Sequence, residues 1–431
     1  MNIRTKLKSA FMSALSSQGF NQFLQHKARV LRRLRSGNPQ VHYFHQVDDP
    51  YSHLAVQKLD LLKDSYEVDF NVHLVNGPTA EFKGDQERFD HWAQADAQAI
   101  ASYYGTHLDC FGARPTANQV AIANGQLTEH LHSAEFAALA IDLGDKLWQG
   151  VPLLGDLGKA EEVLRAGDKL RSGLGHYLGA MFYFDGEWFW GIDRIRCLEQ
   201  RLISEGFARN RDPQALVPEP GFGDRVSTNG SDITLEYFPS LRSPYTAVGH
   251  MGVLSLLERT GVTLRLRPVL PMMMRGIPAP RAKQLYIIRD AAREARFRGI
   301  DFGHIVDPFG EPVRRAFALF PAAQALGKGL QFVTAYLEAA WTRGLDITTQ
   351  TGLRRVVESA GLDWQALNDM SRGTDWQALL DENLQAMLES GLWGVPSFRV
   401  TGGGISESFS CWGQDRLWRV EAEILSRTAT P

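Results

Sequence analysis

Cysteine is scarce in this chain. Its 431 residues hold three, Cys110, Cys197 and Cys411, far apart and with no Cys-x-x-Cys. That spacing removes the dithiol on which disulfide exchange depends. A sparse, odd count without an export signal fits a reducing compartment, so a cytoplasmic chain with no disulfide framework is expected. Cys197 and Cys411 sit in apolar contexts and read as small core residues. Long apolar runs are also missing, and none reaches the length that crosses a bilayer. Net charge is only −3, which gives no general attraction to nucleic acid. Gly402-Gly403-Gly404 lacks the Gly-Lys-Ser/Thr of a phosphate loop and reads as a hairpin turn. His130 and His132 have no further ligands at metal spacing, so no metal site is expected.

Acidic residues are absent from residues 1–36, which carry Arg4, Lys6, Lys8, Lys27, Arg29, Arg32, Arg33 and Arg35. Leu7, Phe11, Leu15, Phe20, Phe23 and Leu24 form one face of a basic amphipathic helix. This arm, residues 1–38, has two readings. One is a weak membrane-surface or partner contact. The other is a lead-in helix that packs on the body, preferred because basic N termini are common.

What the chain does contain is a repetition. Residues 179–194 run from Gly-Ala-Met-Phe-Tyr-Phe to Trp190-Gly191-Ile192-Asp193-Arg194. Residues 394–400 and 410–416 run from Gly-Val-Pro-Ser-Phe to Trp412-Gly413-Gln414-Asp415-Arg416. Upstream, Tyr43-Phe44 leads to Asp49-Pro50-Tyr51-Ser52, and Tyr237-Phe238 leads to Ser243-Pro244-Tyr245-Thr246. Two echoes in one order mean two copies of one domain. A hydrophobic share of 44% and a charged share of 22% suit two soluble globular domains.

In the first copy, residues 39–205, the pattern predicts a strand at 41–44 and a helix from Asp49-Pro50 to about Lys63. A strand at 68–75, helices from about 81 to 174, a strand pair near 180–190 and a last helix to about Leu202 follow. Pro213, Pro218, Pro220, Gly206, Gly221, Gly223 and Gly230 mark residues 206–231 as a linker. The second copy, residues 232–428, repeats the order: strand 233–238, helix 244–260, strand 262–267, helices over 280–389, strands near 396–400 and 408–412, and a helix from Asp415. An early strand–helix–strand unit implies a parallel pair, and the late hairpin adds antiparallel strands. The fold class is therefore α/β: two tandem thioredoxin-like domains, each with a mixed four-stranded sheet and a large helical insertion.

The second copy resembles the 2-hydroxychromene-2-carboxylate isomerase and kappa-class glutathione transferase group of the DsbA-like thioredoxin superfamily. The resemblance rests on Ser243-Pro244-Tyr245, Leu266-Arg267-Pro268-Val269, residues 280–286, residues 290–295 with Gly299, Gly394-Val395-Pro396-Ser397-Phe398 and residues 412–417. The first copy matches more loosely over 41–203. The resemblance implies a glutathione-dependent isomerase or transferase acting on a small, apolar, aromatic electrophile. The thiolate adds to a conjugated carbon; the adduct then rotates and expels the thiol, or is released.

Ser243, at a helix start where free N–H groups favour an anion, is assigned the hydrogen bond to the glutathione sulfur. Pro396 is expected to be cis, with the Val395 backbone pairing with the tripeptide. Gln414 and Asp415 are assigned to its γ-glutamyl end and Lys283 to its glycine carboxylate. As bare residues, Ser243 and Asp415 are equally good helix caps, Pro396 a turn proline and Lys283 a solvated lysine. Met272-Met273-Met274 reads as core filler before pocket lining, and Trp190 and Trp412 as core packing. In the first copy Asp49 stands at the place of Ser243 and Met181 at the place of Pro396, so residues 40–205 are expected to form a non-catalytic partner domain. The tandem then stands in for the family's homodimer, with a second copy of the chain as the other possible partner. The alternatives are a thioredoxin-like binding or scaffold protein and a DsbA-type thiol oxidoreductase, the latter disfavoured by the missing dithiol.

Overall fold

The computed structural model describes residues 3–34, 37–111, 114–155, 160–221 and 230–428. Arg35 and Gly223 lie outside the described residues, as does the side chain of Arg4. The chain forms two compact units, one of Gln22–Pro220 and one of Met1–Asn21 with Gly221–Pro431.

Each unit is built on a four-stranded mixed sheet. The first holds β1 (Gln40–His45), β2 (Asp69–Leu74), β3 (Met181–Phe184) and β4 (Glu187–Trp190) in the order β2-β1-β3-β4. The second holds β5 (Ile233–Phe238), β6 (Thr263–Leu266), β7 (Ser397–Gly402) and β8 (Ile405–Trp412) in the order β6-β5-β7-β8. In both, the first two strands pair in parallel and the others antiparallel. Val41, Tyr43 and Phe44 in β1, and Ile233, Leu235, Tyr237 and Phe238 in β5, are fully buried. A central strand covered on both faces needs such a run of apolar residues.

A parallel pair needs a crossover. In the second unit it is the single helix Pro244–Thr260. In the first unit the single helix expected to reach Lys63 is instead two, Pro50–Val56 and Leu59–Ser65. The break falls where another loop is held: Gln57 exchanges hydrogen bonds with the His107 backbone at 2.7 and 2.9 Å, and Lys58 Nζ donates to Gly105 O at 3.0 Å. The helices between β6 and β7 run from Arg281–Phe297 to Trp376–Glu389.

Register corrects one sequence correspondence. Phe44 lies opposite Met181, and Phe238 lies opposite Ser397. Gly191 N donates to Ala180 O at 2.8 Å, just as Gly413 N donates to Pro396 O at 2.9 Å. Ala180, not Met181, therefore occupies the place of Pro396. Aligning the glycines, Gly179 on Gly394, slips the strands by one residue; the buried Phe182 and Phe398 set the true register. Tyr43 stacks on Phe182 with centroids 4.6 Å apart, and Tyr237 on Phe398 at 5.4 Å. Tyr51 donates to Asp96 and Tyr245 to Asp290, both at 2.8 Å.

The arm is two helices, Ile3–Ser16 and Gln18–Leu34, rather than one. The first packs along residues 303–307. Ser9 Oγ donates to Ile305 O at 2.6 Å, Ser13 Oγ accepts from Ile305 N at 3.0 Å, and Lys8 Nζ lies 2.7 Å from Asp307. In the second, Arg29 pairs with Glu205, and Arg32 pairs with Asp185 at 2.6 Å with its guanidinium beside Phe184 and Phe207. The acid-free segment thus finds its acids elsewhere in the chain. Among the described residues no helix is long and apolar enough to cross a membrane.

In the hairpin between β7 and β8, Gly402, Gly403 and Gly404 have φ of 90°, 67° and 74°. A Cβ on Gly402 would fall 2.3 Å from Asp232 O, so only glycine fits there.

Glu236 ties the second sheet together. It is almost fully buried on β5, receives Arg267 Nε at 2.6 Å and binds Arg399 of β7. Burial pushes its carboxyl up, but the hydrogen bonds and charges of Arg399 and Arg267 outweigh this and hold it below the ordinary value of 4.5. Removing one partner of a buried ion cluster leaves the others uncompensated. Glu236→Ala is therefore expected to destabilise the protein by about 3 kcal/mol in urea unfolding. A folded-state pKa below the unfolded value gives stability that is complete above pH 4.5 and drains away as the pH falls below it. The variant should lose that acid limb; an unchanged pH profile would refute the assignment.

Candidate functional site

Ser243 sits where the loop after β5 turns into helix Pro244–Thr260. Its backbone is extended (φ −95°, ψ 119°), Pro244 takes the first helical position, and the Ser243 side chain accepts a hydrogen bond from Thr246 N at 3.1 Å. It is a helix cap, as the residue type favours. The hydroxyl proton faces Val395 O at 3.5 Å, and the residue is 8% exposed. The Val395–Pro396 peptide bond is cis. Ser243, Val395 and Pro396 are thus brought together.

Gln414 joins them through the backbone. The Gly413–Pro396 hydrogen bond carries Gln414 to the flank of helix Pro244–Thr260, where a Cβ on Gly249 would fall 2.7 Å from its Cβ. Gln414 is buried, and neither its amide oxygen nor its nitrogen has a hydrogen-bond partner among the described residues. Ser240 Oγ, in the loop before Ser243, is buried and unpartnered in the same way. Gln414 also opens a 3-10 turn, Gln414–Arg416, that precedes helix Leu417–Thr428. Asp415 lies inside that turn rather than at a cap. Its carbonyl accepts from Trp418 Nε1 at 3.0 Å, and its carboxylate is 3.8 Å from Arg416.

Lys283 lies on helix Arg281–Phe297, beside Trp393. Its Nζ is 6.0 Å from the centroid of the Trp393 ring, and that ring meets Trp412 at 5.0 Å. Burial lowers the Lys283 ammonium to about 8. Gly394 lies flat against the Trp412 indole, where a Cβ would come within 2.2 Å.

The family model of the DSBA-like thioredoxin domain matches residues 234–425. This part of the chain is a DSBA-like thioredoxin domain. Among solved structures, the chain is similar to a 2-hydroxychromene-2-carboxylate isomerase, with 21% identity, a TM-score of 0.38, and coverage of 45% of this chain and 97% of the other. It is also similar to the cytosolic disulfide reductase DsbM of Pseudomonas aeruginosa, with 22% identity, a TM-score of 0.35, and coverage of 46% and 100%. A third structure, a disulfide isomerase-like protein of Nitrosomonas europaea, has 12% identity, a TM-score of 0.38 and coverage of 46% and 100%. No match was found among curated proteins.

Several residues of the DSBA-like domain near this corner carry no local sequence signal. Arg242, beside Ser243, holds Asp307 through Nε and Nη2 at 2.8 and 3.2 Å, and its guanidinium lies 4.7 Å from the Phe309 ring centroid. Burial pushes Asp307 up, but the charges of Arg242 and Lys8 outweigh it and hold the carboxyl below its ordinary range. Met272-Met273-Met274 is not core: it forms a half-buried 3-10 turn, Met272–Arg275, with Met273 Sδ 3.3 Å from Arg242. Trp190 and Trp412 are likewise only half-buried. His250 is buried between Tyr237 OH (3.3 Å) and Thr334 Oγ1 (2.8 Å), and burial lowers its imidazole to about 4, so it is neutral. Its place seven residues past the cap was visible; its partners, on other elements, were not.

At the matching place in the first unit the helix start is already filled. Asp49 accepts from Tyr51 N at 3.3 Å, Ser52 N at 3.1 Å and Ser52 Oγ at 2.8 Å. Burial still raises its carboxyl to about 6. Gln46 stands where Ser240 does and packs so closely on Gly179 that a Cβ there would fall 2.6 Å from Gln46 Cβ. Ala180, in place of the proline, has φ 52°, and the counterpart of Gln414 is the fully buried Ile192.

An unpaired buried amide costs stability that an apolar residue of similar volume would not. Gln414→Met is therefore expected to stabilise the ligand-free protein by about 1 kcal/mol in chemical denaturation. A loss of stability of that size would mean that Gln414 is already satisfied.

Proposed function

We propose that the DSBA-like domain binds glutathione with its sulfur at the N terminus of helix Pro244–Thr260, and acts on a small apolar electrophile as an isomerase or transferase. The observation that carries this reading is the convergence at one corner of a helix start capped by a neutral hydroxyl, the Val395–Pro396 turn, and two buried polar side chains without partners, Ser240 and Gln414. Buried polar groups are nearly always paired, so orphans beside a helix start favour a polar ligand.

Glutathione supplies the nucleophilic sulfur that the chain's own cysteines do not. Cys197 and Cys411 are buried, and burial pushes the Cys110 thiol to about 11. The roles of the chain's residues follow from their chemistry. The N–H groups of the first helical turn favour an anion, and the Ser243 hydroxyl donates to it by turning from Val395 O. The Val395 backbone offers strand-like pairing, while Gln414 and Asp415 suit an α-amino acid end. Lys283, half-buried beside Trp393, suits a carboxylate: an anion beside it would favour its charged form.

A second reading, a binding module without chemistry, is favoured by the inward turn of the Ser243 hydroxyl and its low exposure. The two separate on one experiment. The wild-type protein is expected to bind glutathione in calorimetry and to lower its thiol pKa, read from thiolate absorbance against pH. Ser243→Ala is expected to bind within a few-fold of wild type but to raise the bound thiol's pKa by about 1 to 2, the equivalent of one hydrogen bond to a charge. No heat of binding in the wild type would leave the binding-module reading. An unchanged thiol pKa in the variant would remove Ser243 from the chemistry.

A further inference from the structure

We propose that the first unit holds a divalent transition-metal ion of the zinc class between His53, His107 and Asp145. His53 lies on helix Pro50–Val56, His107 on the loop after the 3-10 turn Ser102–Tyr104, and Asp145 on helix Phe136–Gln149. Their ligand atoms, one from each residue, all lie within 4.8 Å of one another. His53 Nε2 and His107 Nε2 are each 3.1 Å from Asp145 Oδ1. Tetrahedral coordination at ordinary zinc–ligand distances separates neighbouring ligand atoms by about 3.3 Å, so two edges are close to that spacing already.

Three further observations favour an ion over a simple charge pair. His53 is 2% exposed, yet neither of its ring nitrogens makes a hydrogen bond among the described residues. His107 Nε2, by contrast, also lies within hydrogen-bond distance of Asp145 Oδ2, at 3.2 Å. The His53 ring position is also enforced: a Cβ on Gly144 would fall 2.2 Å from His53 Nδ1, so helix Phe136–Gln149 approaches the ring through a glycine. The His107 backbone is fixed by two hydrogen bonds exchanged with Gln57, one accepted at its carbonyl and one donated by its N–H, while its side chain, 54% exposed, has room to turn its ring and close the third edge. Two imidazoles and one carboxylate form a donor set suited to zinc, cobalt or nickel, and the exposed side of His107 and Asp145 leaves the fourth position to water.

The three members come from separate segments of the chain, so no local spacing marks the cluster. The proposal is independent of the glutathione reading, which concerns residues of the other unit.

The test uses the full, tag-free chain, stripped with a chelator and titrated with Co2+ and then Zn2+. The expected result is one equivalent of Co2+ with the visible absorption of tetrahedral cobalt, displaced by Zn2+. His107→Ala, at an exposed ring, and Asp145→Asn, nearly isosteric, are each expected to weaken binding by about 100-fold or more while leaving the circular dichroism spectrum unchanged. Either of two results would overturn the proposal: no cobalt spectrum in the wild type, or an equal spectrum in both variants.

Discussion

A helix that follows a strand begins with backbone N–H groups that have no partner inside the helix, and something must satisfy them. That requirement falls at the same place in both units, directly after the central strand. The first unit meets it with a carboxylate and the second with a hydroxyl. The difference decides what each helix start can do. Asp49 brings an anion of its own, held by two backbone N–H groups and a serine hydroxyl, so a second anion there would meet like charge. Ser243 takes one N–H and brings no charge of its own to the start of a seventeen-residue helix.

The differences around that place all run the same way. Residues that hold the sheet and helix together are shared: the tyrosine–phenylalanine stack, the tyrosine–aspartate hydrogen bond, and the hydroxyl that caps the preceding loop. Residues that face the helix start are not. Gln46, Ala180 and Ile192 fill or close the corner in the first unit, where Ser240, Pro396 and Gln414 stand in the second. A buried isoleucine costs nothing to keep; a buried amide without a partner does.

How much of this was legible follows from the range of each interaction. The strands, the helix Pro244–Thr260 and the position of Ser243 were readable because they depend on local patterns: apolar runs, a cap residue and a following proline. The cis bond at Val395–Pro396 was expected from a motif and is present. The broken crossover helix was not readable, since its break coincides with Gln57 bonding a loop fifty residues away. The Ala180 register was missed because a glycine in the motif is a weaker landmark than a buried phenylalanine. The Arg242–Asp307 pair and the His53–His107–Asp145 cluster join residues with no sequence relation at all, and only a folded chain could reveal them.

The electrostatics of the second helix start can be weighed with ordinary magnitudes. Arg242 is the nearest cation in sequence, but its charge is spent on the buried Asp307, which also holds Lys8. Lys283 stands beside Trp393, and burial makes its charge costly there. An anion bound there would be stabilised by the helix itself and by Ser243. A helix terminus contributes at most about 2 kcal/mol to a nearby charge, which is about 1.5 in pKa. A cysteine-type thiol of pKa about 8.5 would then titrate near 7, and a hydroxyl donating to its sulfur would carry it lower still. No fixed cation is needed, and a neutral cap is the reason. The same arithmetic with a carboxylate in place of the hydroxyl changes sign, and the corner would raise that thiol's pKa instead.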